Sequence, residues 1–517
     1  MPLRRPRATL AAVSALVVAG VAVTFGLSGC TLFAAPIDTV GKVDFTTPLA
    51  VPPLADSTVD AEGTRVFDLT GQSGESRFFD GSVTETSGYN GSYLGPTLRA
   101  ADGENVRVDL HNELDETTTL HWHGMHLPAA MDGGPHQPVE PGDTWSPHWQ
   151  IDQPAATLWY HPHPHGQTDT QVRRGLAGMF IVDDPAEQAL PLPRNYGVDD
   201  VPVIVQDVAF AGDGSLTSSR DGFTGALGDQ LLVDGTIGPF FEVTTDVVRL
   251  RLLNASAARI YDFTFADDRE FAQIASDGGL LEAPVPVRDV LLSPGERAEI
   301  LVRMAPGETV VLRSEKPDLG DGGGNPFDLG SGGDRFDVLQ LRAASTLLSM
   351  GTVPDALVPV ARIDPGTAVT EREFRLDGTE INDQEMNLDR IDAVVHSETT
   401  EIWNVQNRMD AAHSFHIHDV QFQVLSIDGA PPPPQLAGWK DTVYLRPHAQ
   451  YRLIIAFGSE SDAEHPYMFH CHLLRHEDKG MMGQFLVISK GTAVPDHWSL
   501  PSESAGSDTM NGMNHDH

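Results

Sequence analysis

The chain has 517 residues and a formal charge of −39, with 34 basic against 73 acidic side chains. So acidic a surface excludes nucleic acid as a partner and favours cations around it. The length suits about three domains, and the only cysteines, Cys30 and Cys471, supply no disulfide framework if each has its own task.

In chain order, the N-terminus begins Arg4-Arg5-Pro-Arg7 and enters an apolar run over residues 10–27. A basic start and a small-residue end mark an export signal over 1–29 rather than a retained anchor. Its end, Leu27-Ser-Gly-Cys30, matches the bacterial lipobox, in which the cysteine becomes the lipidated first residue. The mature protein is then expected on the outer side of the cell membrane, in the cell envelope, held by a lipid at Cys30. The arginine pair suits twin-arginine export of a prefolded metalloprotein, but the residues after it do not complete that pattern, so Sec export stays open. Residues 30–48 read as a linker.

From 49 to 495 the chain is a series of short Val/Ile/Leu/Phe runs bounded by Pro, Gly or Asp. Residues 201–205, 247–253, 299–303 and 451–456 are examples, and they read as strands of β-sandwiches. The Pro191-Leu-Pro193 linker places one boundary near 190. The glycine- and aspartate-rich stretch 320–333, read as a surface loop, and the strand-like 372–376 bracket another near 350. The expected fold is all-β, with three consecutive sandwich domains at 49–190, 191–350 and 351–495. The tail 496–517 is polar and expected to be disordered. It ends Met510-Asn-Gly-Met-Asn-His-Asp-His517, which could capture copper.

Four motifs carry the chemistry. They are His121-Trp-His123, His161-Pro-His163-Pro-His165, His413-Ser-Phe-His416-Ile-His418, and His470-Cys471-His472 followed by His476 and Met481. Cysteine, histidine and methionine five and ten positions on supply three of the four ligands of a blue-copper centre. On a strand, a His-x-His pair puts both rings on one face, and His470 and His472 project opposite to Cys471. One strand can therefore join two metal sites. No histidine lies between His165 and His396, so the clustering is not an effect of composition. The motifs also repeat: Leu120-His-Trp-His123 parallels Phe415-His-Ile-His418, and Trp159-Tyr-His161-Pro-His163 parallels Met468-Phe-His470-Cys-His472. Two related domains each contribute two His-x-His strands, with a spacer between them.

These four motifs, in this order, resemble those of the multicopper oxidases, and most nearly the three-domain bacterial copper-resistance cuprous oxidases. The resemblance extends over nearly the whole chain after residue 45 or so, including Asp132-Gly-Gly-Pro135 and Gly438-Trp-Lys-Asp-Thr-Val443. It implies cupredoxin-like Greek-key domains and four copper ions. By the family pattern, His413, Cys471, His476 and Met481 hold the type 1 copper. His121 and His416 hold type 2, and His123, His161, His163, His418, His470 and His472 hold the type 3 pair. Asp132 and Glu477 match the family's proton-supplying carboxylates; the bland reading makes each a group that orients a histidine.

The implied reaction is one-electron oxidation of a substrate coupled to four-electron reduction of dioxygen to water. Glu385, Met386, Met409 and Asp410 lie where the cuprous oxidases place a carboxylate–thioether Cu(I) site. Ala411 departs from that pattern, the methionine-rich insert is missing, and both methionines could simply fill the core. Three functions stay open: a cuprous oxidase for copper detoxification, with phenols or Fe(II) also possible as reductants; a laccase-type phenol oxidase; and a non-enzymatic copper-binding envelope protein. The protein is expected to be a monomer.

Overall fold

The computed structural model describes residues 36–79, 81–320 and 332–494. Cys30, the export signal, most of the glycine-rich loop and the tail lie outside them. Within them the chain is built mostly of strands, as the alternating apolar runs require. No helix of the described residues is long and apolar enough to cross a membrane.

Three large apolar cores follow one another. The first gathers Phe67, Leu110, Trp122, Tyr160 and Phe180 between a six-stranded and a four-stranded sheet. The second gathers Val203, Leu250, Ile300, Leu312 and Leu339 between a six-stranded and an eight-stranded sheet. The third gathers Phe374, Trp403, Phe415, Leu453 and Phe485 between two five-stranded sheets. The runs at 201–205, 247–253, 299–303, 372–376 and 451–456 all lie within strands. The entering segment packs on the middle unit: Thr47–Pro48 pairs in parallel with Pro239–Thr245, and Leu49 joins the second core.

The first and third units share one sheet plan. In the first, His121–His123 pairs antiparallel with Ala156–His161, which pairs antiparallel with Gly178–Asp183. In the third, His413–Ile417 pairs antiparallel with Asp462–Cys471, which pairs antiparallel with Met482–Ile488. Even the register agrees: His121 stands opposite His161, and His416 opposite His470. The repeat seen in the motifs is therefore a repeat of strand pairing.

Candidate metal centres

Strand alternation sorts the metal-binding residue types onto two faces. Along His413–Ile417, Phe415 and Ile417 enter the third core, while Ser414 and His416 face away from it. Ser414 Oγ there meets the middle unit, donating to the Pro294 carbonyl at 2.8 Å. Cys471 stands opposite Phe415 and shares the core, and His470 and His472 point the other way.

On the core side, three ligand atoms converge. His413 Nδ1 lies 3.4 Å from Cys471 Sγ, His476 Nδ1 lies 3.6 Å from it, and the two nitrogens are 3.2 Å apart. Met481 is fully buried in the same core. Its carbonyl accepts from Cys471 N at 3.0 Å and its own N–H donates to the His476 carbonyl at 2.8 Å. The short helix Leu474–Asp478 thus folds His476 and Met481 back over the cysteine.

On the other side, eight imidazoles face one another between the first and third units. His163 Nε2 and His418 Nε2 each lie 3.2 Å from His470 Nε2. His123, His161 and His472 form a second group, with ring centroids 4.9–5.7 Å apart. His121 and His416 form a third, at 5.7 Å. His165, though part of a motif, is exposed and joins none of these groups.

Carboxylates and carbonyls fix which nitrogen of each ring faces inward. His121 Nδ1 bonds the Asp132 carbonyl oxygen at 3.0 Å, and His418 Nδ1 bonds Asp132 Oδ2 at 2.7 Å. His161 Nδ1 bonds the Pro162 carbonyl at 2.9 Å and His416 Nδ1 the Asp441 carbonyl at 2.9 Å. Glu477 spans two rings, 3.4 Å from His163 Nδ1 and 3.2 Å from His470 Nδ1. Gly133 makes the Asp132 position possible. Its φ is +77°, and a Cβ there would fall 1.8 Å from the Leu120 carbonyl oxygen.

Asp441 is a further member of the site, which no local pattern in the sequence marks. Its Oδ1 sits 3.1 Å from His123 Nε2, and both its oxygens take Arg297 guanidinium N–H bonds at 2.7 Å. The partner is 144 positions away and on the middle unit. That unit supplies no imidazole but braces the cluster from beneath.

The donor set fits copper. Nε2 of His121, His161 and His416, Nδ1 of His123, and both nitrogens of His472 are buried without hydrogen-bond partners, a costly state unless something binds them. Burial pushes His123, His161, His413, His416 and His418 well below the usual histidine range, aided by neighbouring imidazoles. It takes His163 and His472 to about 3 and His476 to about 4. These rings are neutral and offer lone pairs, the form a metal takes. Burial pushes the Cys471 thiol up to about 12, so only a neighbouring cation would make it a thiolate near neutrality. Burial also raises the Glu477 carboxyl, but the N–H groups of His163 and His470 directed at it prevail and hold it well below the carboxylate range. Thiolate with imidazole and thioether on one face, and imidazoles alone on the other, is a copper-type donor set.

Of the remaining expected residues, Met386 and Met409 are both half-buried. Met386 N–H donates to the Gly480 carbonyl at 2.8 Å, one residue before Met481. Met409 Sδ accepts from Gly378 N–H at 3.2 Å. Glu385 is exposed. Asp410 turns outward to His448, its Oδ1 2.6 Å from the ring Nε2.

Family models described as multicopper oxidase match residues 72–187 and 361–491. Multicopper oxidase mco of Staphylococcus haemolyticus is 34% identical over 442 residues, which span 85% of this chain and 92% of that protein. The chain belongs to the multicopper oxidases. As a multicopper oxidase it is an oxidoreductase whose cofactor is copper and whose electrons pass from a reductant to dioxygen. It also resembles cell division protein FtsP of Escherichia coli, 39% identical over 85% of this chain and 92% of that one. Among solved structures, a laccase-like multicopper oxidase, CueO, of Ochrobactrum sp. is 35% identical, with a TM-score of 0.77. It covers 85% of this multicopper oxidase and 100% of its own chain, and that protein has oxidase activity towards lignin model compounds.

Proposed function

We propose that this enzyme is a cuprous oxidase with four coppers. His413, Cys471, His476 and Met481 hold the type 1 ion, and His121 and His416 the type 2 ion. His123, His161 and His472 hold one type 3 ion, and His163, His418 and His470 the other. Bound copper would supply one-electron oxidation at the cysteine centre and four-electron reduction of dioxygen to water at the imidazole cluster. One observation carries the reading: the thiol of Cys471 faces two imidazoles at 3.4 and 3.6 Å, while both its chain neighbours face the cluster. One peptide unit on either side of Cys471 joins the two centres.

The chain's own residues do the rest. Asp132 and Glu477 stand at the cluster edge as carboxylates that would relay protons to it; Asp132 Oδ1 and both Glu477 oxygens are buried without a fully formed hydrogen bond. Cu(I) as substrate is supported by the carboxylate–thioether set Glu385, Met386, Met409 and Asp410: the Met386 backbone lies against Gly480, next to Met481, Met409 Sδ meets Gly378, and Glu385 and Asp410 are exposed. The likeness to cell division protein FtsP raises a second reading, a role in cell division, but a full complement of buried imidazoles and a thiol argues for a working oxidase. An exported form with lipid at Cys30 fits the sequence ahead of the described residues.

The test is oxygen consumption with Cu(I), Fe(II) and a bulky phenol, side by side. The quadruple variant Glu385→Gln, Met386→Leu, Met409→Leu and Asp410→Asn should raise the half-saturating Cu(I) concentration and spare phenol oxidation. Equal losses on both donors, or none on Cu(I), would favour a laccase.

A further inference from the structure

His476 shows Nδ1 to Cys471 and Nε2 to a different unit. Nε2 donates to the backbone carbonyl of Phe223 at 2.9 Å, 253 positions earlier in the chain. The Phe223 ring lies tilted against the imidazole, with centroids 4.7 Å apart at 56°. Phe223 is 38% exposed, whereas His476 is fully buried. The outer edge of the imidazole is therefore covered by one residue whose far side meets solvent.

Phe223 sits at the tip of a hairpin made of Arg220–Asp221 and Ala226–Leu227, closed by a Gly222 N–H bond to the Gly225 carbonyl at 3.1 Å. Several contacts hold it down. Asp221 forms an ion pair with Arg475, the residue before His476, and Arg475 also donates to the Gly222 carbonyl at 3.1 Å. Arg220 forms an ion pair with Asp334, which is anchored in turn by Arg259 at 2.5 Å. Gly225 has φ +134°, and a Cβ there would lie 2.8 Å from Ala258 Cβ, so the tip approaches the body as closely as glycine permits.

We propose that the hairpin is a specificity element that caps the electron-entry edge of His476. It shuts out aromatic donors that must touch the imidazole and leaves donors able to pass an electron across the Phe223 peptide, namely metal ions and their small complexes. The inference rests on the copper reading of the Cys471 centre. A phenol oxidised there would pass one electron to the type 1 ion, taking it from Cu(II) to Cu(I), release its proton to bulk water and become a phenoxyl radical. Its oxygen would have to accept from Nε2–H, and the Phe223 carbonyl already occupies that hydrogen. An electron crossing that 2.9 Å hydrogen bond needs no such contact.

The test uses the copper-loaded full chain with residues 221–226 replaced by Gly-Gly, and, in case that variant folds poorly, Asp221→Ala, which only unpins the hairpin. Stopped-flow bleaching of the blue band is followed with 2,6-dimethoxyphenol and with hexaammineruthenium(II). A second readout, independent of activity, is diethylpyrocarbonate modification of His476 in the apoprotein, mapped by mass spectrometry. Phenol should bleach either variant at least about tenfold faster, the ruthenium complex by less than about threefold, and His476 should become modifiable. A blue variant with exposed His476 and an unchanged phenol rate overturns the cap, as does an equal gain with both donors. A parent protein that loads copper but is not blue overturns the copper reading beneath it.

Discussion

Asp132 and His418 lie 286 positions apart and share a hydrogen bond of 2.7 Å. The carboxylate belongs to the first unit and the imidazole to the third, so one bond ties the two halves of the histidine cluster. The same aspartate holds His121 through its backbone carbonyl. Its position thus sets the inward nitrogens of rings from both units, and its charge sits where a proton would be wanted.

Asp132→Asn and Glu477→Gln should therefore slow reoxidation by dioxygen while substrate still bleaches the blue band at the parent rate. Stopped-flow absorbance separates the two steps. Parent-rate reoxidation in both variants would mean that protons arrive by another route.

Cys471→Ser should yield a colourless protein without oxidase activity that retains the copper held by the imidazoles alone. Visible spectroscopy and metal analysis decide this, and a blue serine variant would refute the ligand assignment.

Gly133→Ala should cost at least about 2 kcal/mol, because a left-handed φ and a backbone clash add. Thermal unfolding of the apoprotein measures it. An unchanged midpoint would show that the 129–133 turn can move aside.

Asp441→Asn should weaken copper retention by roughly 10–100-fold, since the carboxylate orients His123 and neutralises the buried Arg297. Competition with a chelator reads this directly. Retention equal to the parent would reduce Asp441 to a brace for the middle unit.

The apoprotein should lose stability in mild acid. Its buried histidines have folded values depressed to about 3 for His163 and His472 and about 4 for His476. The unfolded chain takes up those protons first, near pH 6.5, so stability is full above that value. It should fall by about 1.4 kcal/mol per pH unit per histidine as pH drops towards the folded values. Melting curves at pH 7 and pH 5 test this, and equal midpoints would contradict it.

The metal-binding strands were legible in the sequence because period-two alternation is local: two imidazoles two residues apart must share a face. The strand runs around Val203 and Leu453 were legible for the same reason. The supporting groups were not. Arg297 meets Asp441 across 144 positions, and no local pattern announces such a pair. Phe223 escaped notice because its hairpin consists of two two-residue strands in a Gly/Asp-rich stretch that reads as a loop. The packing of Leu49 on the second core is likewise a long-range event.

The cluster draws four imidazoles from strands near the start of the chain and four from strands near its end. A growing chain that has reached the middle unit has only the first four, and it lacks Cys471 altogether. The cysteine centre waits for the last strands, and the imidazole cluster cannot close until those strands dock against the first. Retention of the cluster's copper is thus a report on completed folding: a truncated molecule would be left colourless, and a misdocked one would leave its imidazoles open to any passing metal.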